Sequence, residues 1–477
     1  MTRINTNIPA LWAAEYLTRN AEALSRSLER LSSGSRINRA ADDPAGWVVA
    51  ELLRSEGRGL QQAIENSQRT ANVLGTAEAA LNEVSVILIT MRELATAAAQ
   101  EGGLTEGEIG ALQLQLDSSI EAINRIADST SFGGEHLLNG SYAYATGSVD
   151  PSDVSALDVY RASPGASGIA VNISVASAAE RGMLFYSGTG VSAAQTIRIT
   201  GNEGTEILSI AAGTSNSAIV AAVNDLTDRT GVRAVDFLGI TIMFQSVGLG
   251  SQEFASVEDV DGVGDFVVTD SGGTPTNRDY GKDMVAEING ERASARGTRL
   301  IMNSTALDME VILTEGLNSG IAMGLESGTD FVITGGGAVF QIGPGDGVGD
   351  QVRVGLPNVS AANLGGTSGN LSEVAEGGAA ALRVDPGRAM KIIDEAIADV
   401  ASLRGRLGAL ESNVIQGNLN SLGVALEKTS SSESSIRDTD FAAETSEMVR
   451  RQILVSAGVS ILANANAIPE AVLALLQ

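Results

Sequence analysis

Cysteine is absent, histidine occurs once, and aromatic residues make up only 4% of the 477 residues. Each shortage closes something off. Without thiols there are no disulfides, no thiolate metal sites and no thiol nucleophile. A lone His136 gives a histidine-ligated metal site or a Ser–His pair nothing to build on, so a surface or loop position is its expected place. Gly335-Gly336-Gly337 and Gly343-Pro344-Gly345-Asp346-Gly347 lack the Gly-Lys-Ser/Thr of a phosphate loop. No cofactor is therefore expected. Bases are also scarce: 31 against 58 acids, for a net charge of -27. Residues 141–380 hold 28 of the acids and 11 of the bases, so the excess sits in the middle of the chain. That surface repels itself and repels nucleic acid. No run of ~18 apolar residues is present to span a membrane. Between Met1 and Leu17 no basic start, apolar core and cleavage site follow one another, so on these grounds alone the chain reads as cytoplasmic.

What is present is helix periodicity at both ends. Leu17, Leu24, Leu28 and Leu31 mark a first helix that fades at Ser32-Ser33-Gly34-Ser35. Asp43-Pro44 supplies an N-cap and a first helical residue for a second. Leu74, Leu81, Leu88 and Ala95 recur every seven residues, and Ala77, Val84, Met91 and Ala98 follow three behind. This is a coiled-coil-like seam of about four heptads. Leu112, Leu116, Ile120, Ile123 and Ala127 predict a third helix folding back on the second. Far along the chain the heptads return, with Ile393, Val400, Leu407 and Val414 in one position and Ala396, Leu403 and Leu410 in the other. Phe441, Met448, Val455 and Leu462 again recur every seven residues, while Ile453, Leu454, Val459 and Ile461 add a second apolar face. A helix apolar on more than one side needs more than one partner.

Between the ends, residues 141–375 are rich in Gly, Ser, Thr and Val. Runs 196–200, 239–244, 331–334 and 339–342 read as strands, and Ser215–Thr230 as one helix. The expected fold is thus α+β and multidomain: a long helical coiled-coil-like hairpin from the two ends, with β-rich inserted outer domains. Length as a prior gives roughly two to four domains. The divisions expected are 1–40 with 436–477, 41–140 with 385–435, and the insert 141–384.

The two ends resemble bacterial flagellin. The residues that carry this are Ile4-Asn5-Thr6-Asn7, the run Arg30 to Asn38, Ala41-Asp42-Asp43-Pro44-Ala45-Gly46, Glu78 to Glu83 and Met91-Arg92-Glu93-Leu94-Ala95. At the other end they are Leu403 to Ala409, Ile436 to Ala442, Gln452-Ile453-Leu454 and Ala463-Asn464-Ala465-Asn466. Residues 196–245 look like the strand–helix–strand flagellin IN module, and Phe340-Gln341-Ile342-Gly343 like a short segment of many flagellins. The resemblance implies an extracellular filament subunit that self-assembles and is exported unfolded, without a cleaved signal, by the flagellar type III apparatus. The lack of cysteine fits a narrow export channel. Terminal helices near 5–33 and 439–477 would line the filament interior, disordered in the monomer and ordered on assembly. Polymerisation and packing are then expected of Leu24, Leu28, Leu31, Leu74, Leu81, Leu88, Met91, Leu403, Leu407, Leu410, Phe441, Met448, Val455, Val459 and Leu462. The expected partners are other copies of the chain, an export chaperone, and cap and hook-junction proteins, with no nucleic acid and no membrane.

The family's innate-receptor segment is matched at Arg92, Glu93 and Leu94, but Thr90 and Gln115 stand where an Arg and a Glu are usual. Losing that guanidinium and carboxylate removes charge-assisted contacts and predicts weak receptor activation. A hook–filament junction protein is the alternative reading. A peptidase grafted into the insert would call for a motif such as H-E-x-x-H, which one histidine cannot supply. Asp259, Asp261, Gly264 and Asp270 fall at positions 1, 3, 6 and 12 of a calcium loop, but Val263 occupies position 5, so a solvated acidic turn is expected instead. A glycan- or cell-binding role for the insert stays open.

Overall fold

The computed structural model describes residues 6–100, 103–162, 168–262, 266–304, 306–314 and 327–475. It divides into two compact units, one formed by 1–70, 341–351 and 412–477, the other by 71–340 and 352–411. Helical ends flank a β-rich middle, as the pattern predicts.

The described part of the first unit is helix apart from short links and one strap. Helix α1 (Ile8–Ser33) begins where the Asn7 side chain accepts from the Ala10 N–H at 3.1 Å, and it closes with the Gly34 N–H donating to the Arg30 carbonyl. Helix α2 (Pro44–Ala98) starts as the Asp43-Pro44 pair predicts, with Asp43 Oδ1 accepting from the Gly46 N–H at 3.0 Å. The described chain resumes at 103, and α3 (Glu106–Ser129) opens with a reciprocal cap between Thr105 and Glu108. In the first unit, the early turns of α2 meet helix Gln416–Arg437 through Leu60, Ala63 and Leu422. The 341–351 strap is tied in by Asn418, whose amide donates to the Ile342 carbonyl at 2.8 Å and to Ser67 Oγ at 3.2 Å.

In the second unit the predicted seam of α2 is solvent-free: Leu74, Ala77, Leu81, Val84, Leu88, Met91 and Ala95 are all buried. So are Leu116, Ile120, Ile123 and Ala127 of α3. Gln113, itself fully buried, donates to the Val374 carbonyl and accepts from the Leu382 N–H, both within hydrogen-bond distance at 2.9 and 2.8 Å. By composition α2 holds an 18-residue window that could cross a membrane. Its buried stripe is instead that of a bundle helix, with charged flanks.

Two β modules complete this unit. The first pairs a five-stranded sheet (Glu291–Arg292, Val285–Ile288, Ile169–Ser177, Ser327–Gly336, Tyr144–Gly147) with a four-stranded one (Ser294–Arg296, Arg299–Asn303, Leu307–Leu313, Val154–Ala162). Alternation puts Val171, Ile173 and Val175 inside, with Phe331, Leu300 and Val311, and leaves the intervening residues outside. The second module has two four-stranded sheets and helix α4 (Asn216–Asn224), whose Ile219 and Val223 join Ile197, Ile199 and Phe244 in its core. The single helix expected over 215–230 is in fact two: Leu226 leaves helical geometry (φ -103, ψ 2), and a short α5 (Thr227–Thr230) follows.

Helix α6 (Pro386–Ala409) buries Ile393, Ala396, Val400, Leu403 and Leu407, as predicted. The heptad then slips. A π-helical stretch, Leu410–Ile415, precedes α7 (Gln416–Arg437), so Ile415 is buried while Leu410 and Val414 are only half-buried. The wider turn adds a residue to the repeat, which strict seven-residue counting cannot see. Helix α8 (Phe441–Leu475) ends the described chain.

Candidate assembly surface

Helices α1 and α8 run antiparallel, and polar contacts fix their register. The Asn7 amide donates to the Ala465 carbonyl at 2.8 Å, Arg451 Nη1 donates to Asn20 Oδ1 at 3.1 Å, and Arg30 lies 3.6 Å from Glu444. Near one end the linking segments add Thr439 N–H to the Gly34 carbonyl and Arg36 N–H to the Arg437 carbonyl. Asp440 Oδ1 accepts from the Ala442 and Ala443 N–H groups and so starts α8. On α8 the Glu447 carboxylate is held by Arg450 and Arg451, which pull its pKa down to about 2.

The facing side chains are Ala13, Leu17, Leu24, Ser27 and Leu31 on α1, and Met448, Val455, Leu462 and Ala465 on α8. Gly458 lets the helices approach: a Cβ there would lie 3.4 Å from Leu17 Cδ1. Even so, only Ala13, Ser27 and Ala465 of this set are buried, the leucines, Met448 and Val455 being half-buried.

The larger part of the apolar surface faces water. On α1 these residues are Ile8, Leu11, Trp12 (64% exposed), Tyr16 and Leu28. On α8 they are Phe441, Val449, Ile453 (62% exposed), Leu454, Val459 and Ile461. At 100° per residue the α8 set lies on both flanks of the facing stripe and on its back, so this helix is apolar nearly all round. Of the predicted packing residues, Leu28, Phe441 and Val459 are thus exposed in the single chain. Ile8, Leu11, Trp12 and Tyr16 were not singled out from sequence. The available signal was Trp12 and Tyr16, two of the few aromatics, one helical turn apart.

In the second unit the receptor-like segment lies along the exposed edge of α2. Thr90, Arg92 and Glu93 face water, Leu94 is half-buried, and Gln115 is exposed on α3. Arg92 is engaged by Asp394 of α6, an ion pair that neither helix's own pattern announces. A second such pair joins Arg404 of α6 to Glu78 of α2 at 2.8 Å. In the acidic turn, Asp259 Oδ1 accepts from the N–H groups of Asp261 and Gly262, and Asp270 Oδ1 from those of Gly272 and Thr274. These carboxylates cap their own turns; Val263 and Gly264 lie outside the described residues. Among the described residues no group of three or more His, Asp or Glu is placed to hold a metal ion.

The family profile described as the bacterial flagellin N-terminal helical region matches residues 4–143, and that of the C-terminal helical region matches 390–476. A third, the flagellin hook IN motif, matches 196–241. The chain is 28% identical over 475 residues to Flagellin A of Vibrio anguillarum, covering 99% of each. To Flagellin A of Vibrio cholerae it is 29% identical over 485 residues, again covering 99% of each. The chain belongs to the bacterial flagellin family. Flagellin B of Helicobacter pylori is 26% identical over 540 residues, covering 100% of this chain and 99% of that one. Among solved structures, FliC of Burkholderia pseudomallei shares 18% identity at a TM-score of 0.24, covering 73% of this chain and 99% of that one. The junction protein FlgL of Legionella pneumophila shares 9% at 0.27, covering 82% and 99%. As a flagellin, the chain is a structural protein and a subunit of the flagellar filament. The end-to-end match to named flagellins favours this over the junction-protein alternative.

Proposed function

We propose that α1 and α8 are the polymerisation element of this flagellin and line the interior of the filament. The observation that carries this is the ring of exposed Ile, Leu, Trp, Tyr, Phe and Val side chains left over once the two helices have paired. Each such side chain is worth ~1.5–3 kcal/mol on burial, so a handful outweighs the entropy of ordering a subunit. In the free subunit these helices lack partners for most of their apolar surface and are disordered, because helix nucleation is costly. Contacts that repeat head to tail without closing produce a helical polymer. The outer tube around them is formed by 41–140 with 385–435, and the acidic insert 141–384 faces the surrounding medium.

The same reading includes passage out of the cell unfolded through the flagellar type III apparatus, with an export chaperone, cap and hook-junction proteins as partners. It includes weak activation of the innate flagellin receptor, because Thr90 and Gln115 replace charged groups. Limited proteolysis tests the central point. Removing roughly 1–40 and 436–477 is expected to leave a folded, soluble core that no longer forms filaments; a trimmed core that still polymerises overturns the assignment.

A further inference from the structure

The sheet containing strands 154–162, 299–303 and 307–313 turns one face into the core of its module. Val159, Leu300, Met309 and Val311 enter the module's core, while the opposite face carries Asp158, Tyr160, Arg299, Asp308 and Glu310 beside the buried Ile312. That face meets Asp399 and Arg406 of α6. Arg299 pairs with Glu310 and lies 3.5 Å from Asp399. Arg406 pairs with Asp308, lies 3.8 Å from Glu310, and covers the Tyr160 ring at 4.0 Å. Glu395, one turn before Asp399, adds negative charge facing Arg299, though its own oxygens are taken by Thr367 and Ser368. Ion pairs thus fasten the β module to the helix. Four carboxylates share two guanidiniums, and Glu310 is 8% exposed.

We propose that this sheet–helix seam is an acid-tightened latch, holding the first β module on α6 loosely at neutral pH and firmly in mildly acidic surroundings. The cause is the shortage of cations. Two guanidiniums cannot neutralise four carboxylates removed from water, so the docked state carries uncompensated charge. Burial and the neighbouring Glu310 push the Asp158 carboxyl up to about 6, against the pull of Arg299 and Arg406. Burial likewise lifts Asp399 to about 6, although Arg299 and a Gly365 N–H favour its anion. Tyr160 is also pushed upward, by burial and then by Asp158, and stays neutral throughout. The sign follows from proton uptake. Both aspartates bind a proton more tightly when docked than when solvated. The penalty is therefore complete above about 6 and declines as the pH falls toward the ordinary aspartate range.

Amide hydrogen exchange on the full chain at pH 7.5 and 5.0, corrected for intrinsic rates, tests this. Peptides covering 154–162 and 307–313 are expected to gain about tenfold in protection at pH 5.0. Strands 232–237 and 241–246 of the second module serve as reference and are expected to stay level. In an Asp158→Asn, Asp399→Asn double variant the first set is expected to show the acid level of protection at both pH values. Three results would each overturn the latch: wild-type protection unchanged or lower at pH 5.0, an equal rise in the reference strands, or a double variant keeping the wild-type pH response. The wild-type comparison decides alone if that variant does not fold.

Discussion

Gly458 shows how one side chain can set an interface. Leu17 fills the space its missing Cβ leaves, with the nearest carbon at 3.4 Å, an ordinary contact for a methyl but not for a branched chain. Gly458→Ala is therefore expected to polymerise like the wild type, with some gain in helix propensity. Gly458→Leu is expected to hold the helices apart and abolish pelletable filament. Sedimentation after seeding, beside circular dichroism of the unassembled chain, separates this from a folding defect. Other residues were legible in advance because they follow local rules: Asp43-Pro44 begins α2 as an N-cap pair should. The Arg92–Asp394 pair was not, because its members are 302 positions apart and nothing in either helix's own pattern names the other.

At the level of elements, repeats of seven were readable wherever the helix stayed regular. The α2 seam and the α6 stripe fell where counting placed them, since fully buried heptad positions leave little choice of residue. The π-helical stretch at Leu410–Ile415 broke the count, and no composition cue marks such a turn. The β modules were legible as short alternating runs. Their charged seam was not, because which face of a strand meets a helix is decided by tertiary packing. The exposed edge of α2 and α3 supports a separate prediction. Thr90 is spent on the Val86 carbonyl of its own helix and offers a receptor no cation. Thr90→Arg with Gln115→Glu is expected to raise the response of a cell reporter for the innate flagellin receptor well above that of the parent chain. An unchanged response, or a parent already as strong as an enteric flagellin, would remove these positions from the account.

For the whole molecule, the negative excess and the unburied apolar helices fall in different parts of the chain. The middle of the chain holds most of the negative excess, and the ends hold most of the unburied apolar helix. Net charge of one sign keeps free copies apart, and on the proposed reading the apolar terminal helices supply the attraction. Protein released from filaments by mild heat is expected to regrow long filaments when short seeds are added, seen by electron microscopy. Seeds that stay short or become capped would move the reading to a junction protein.

The nearly all-round apolar character of α8 also bears on when growth can begin. If α8 is the polymerisation element proposed above, it needs several neighbours at once, and gains little from the first encounter between two free chains and nearly everything from a finished filament tip. Starting a polymer from nothing is then far slower than lengthening one. A pool of subunits can remain supersaturated yet clear until it is offered an end, so the place of growth is chosen by the template and not by concentration.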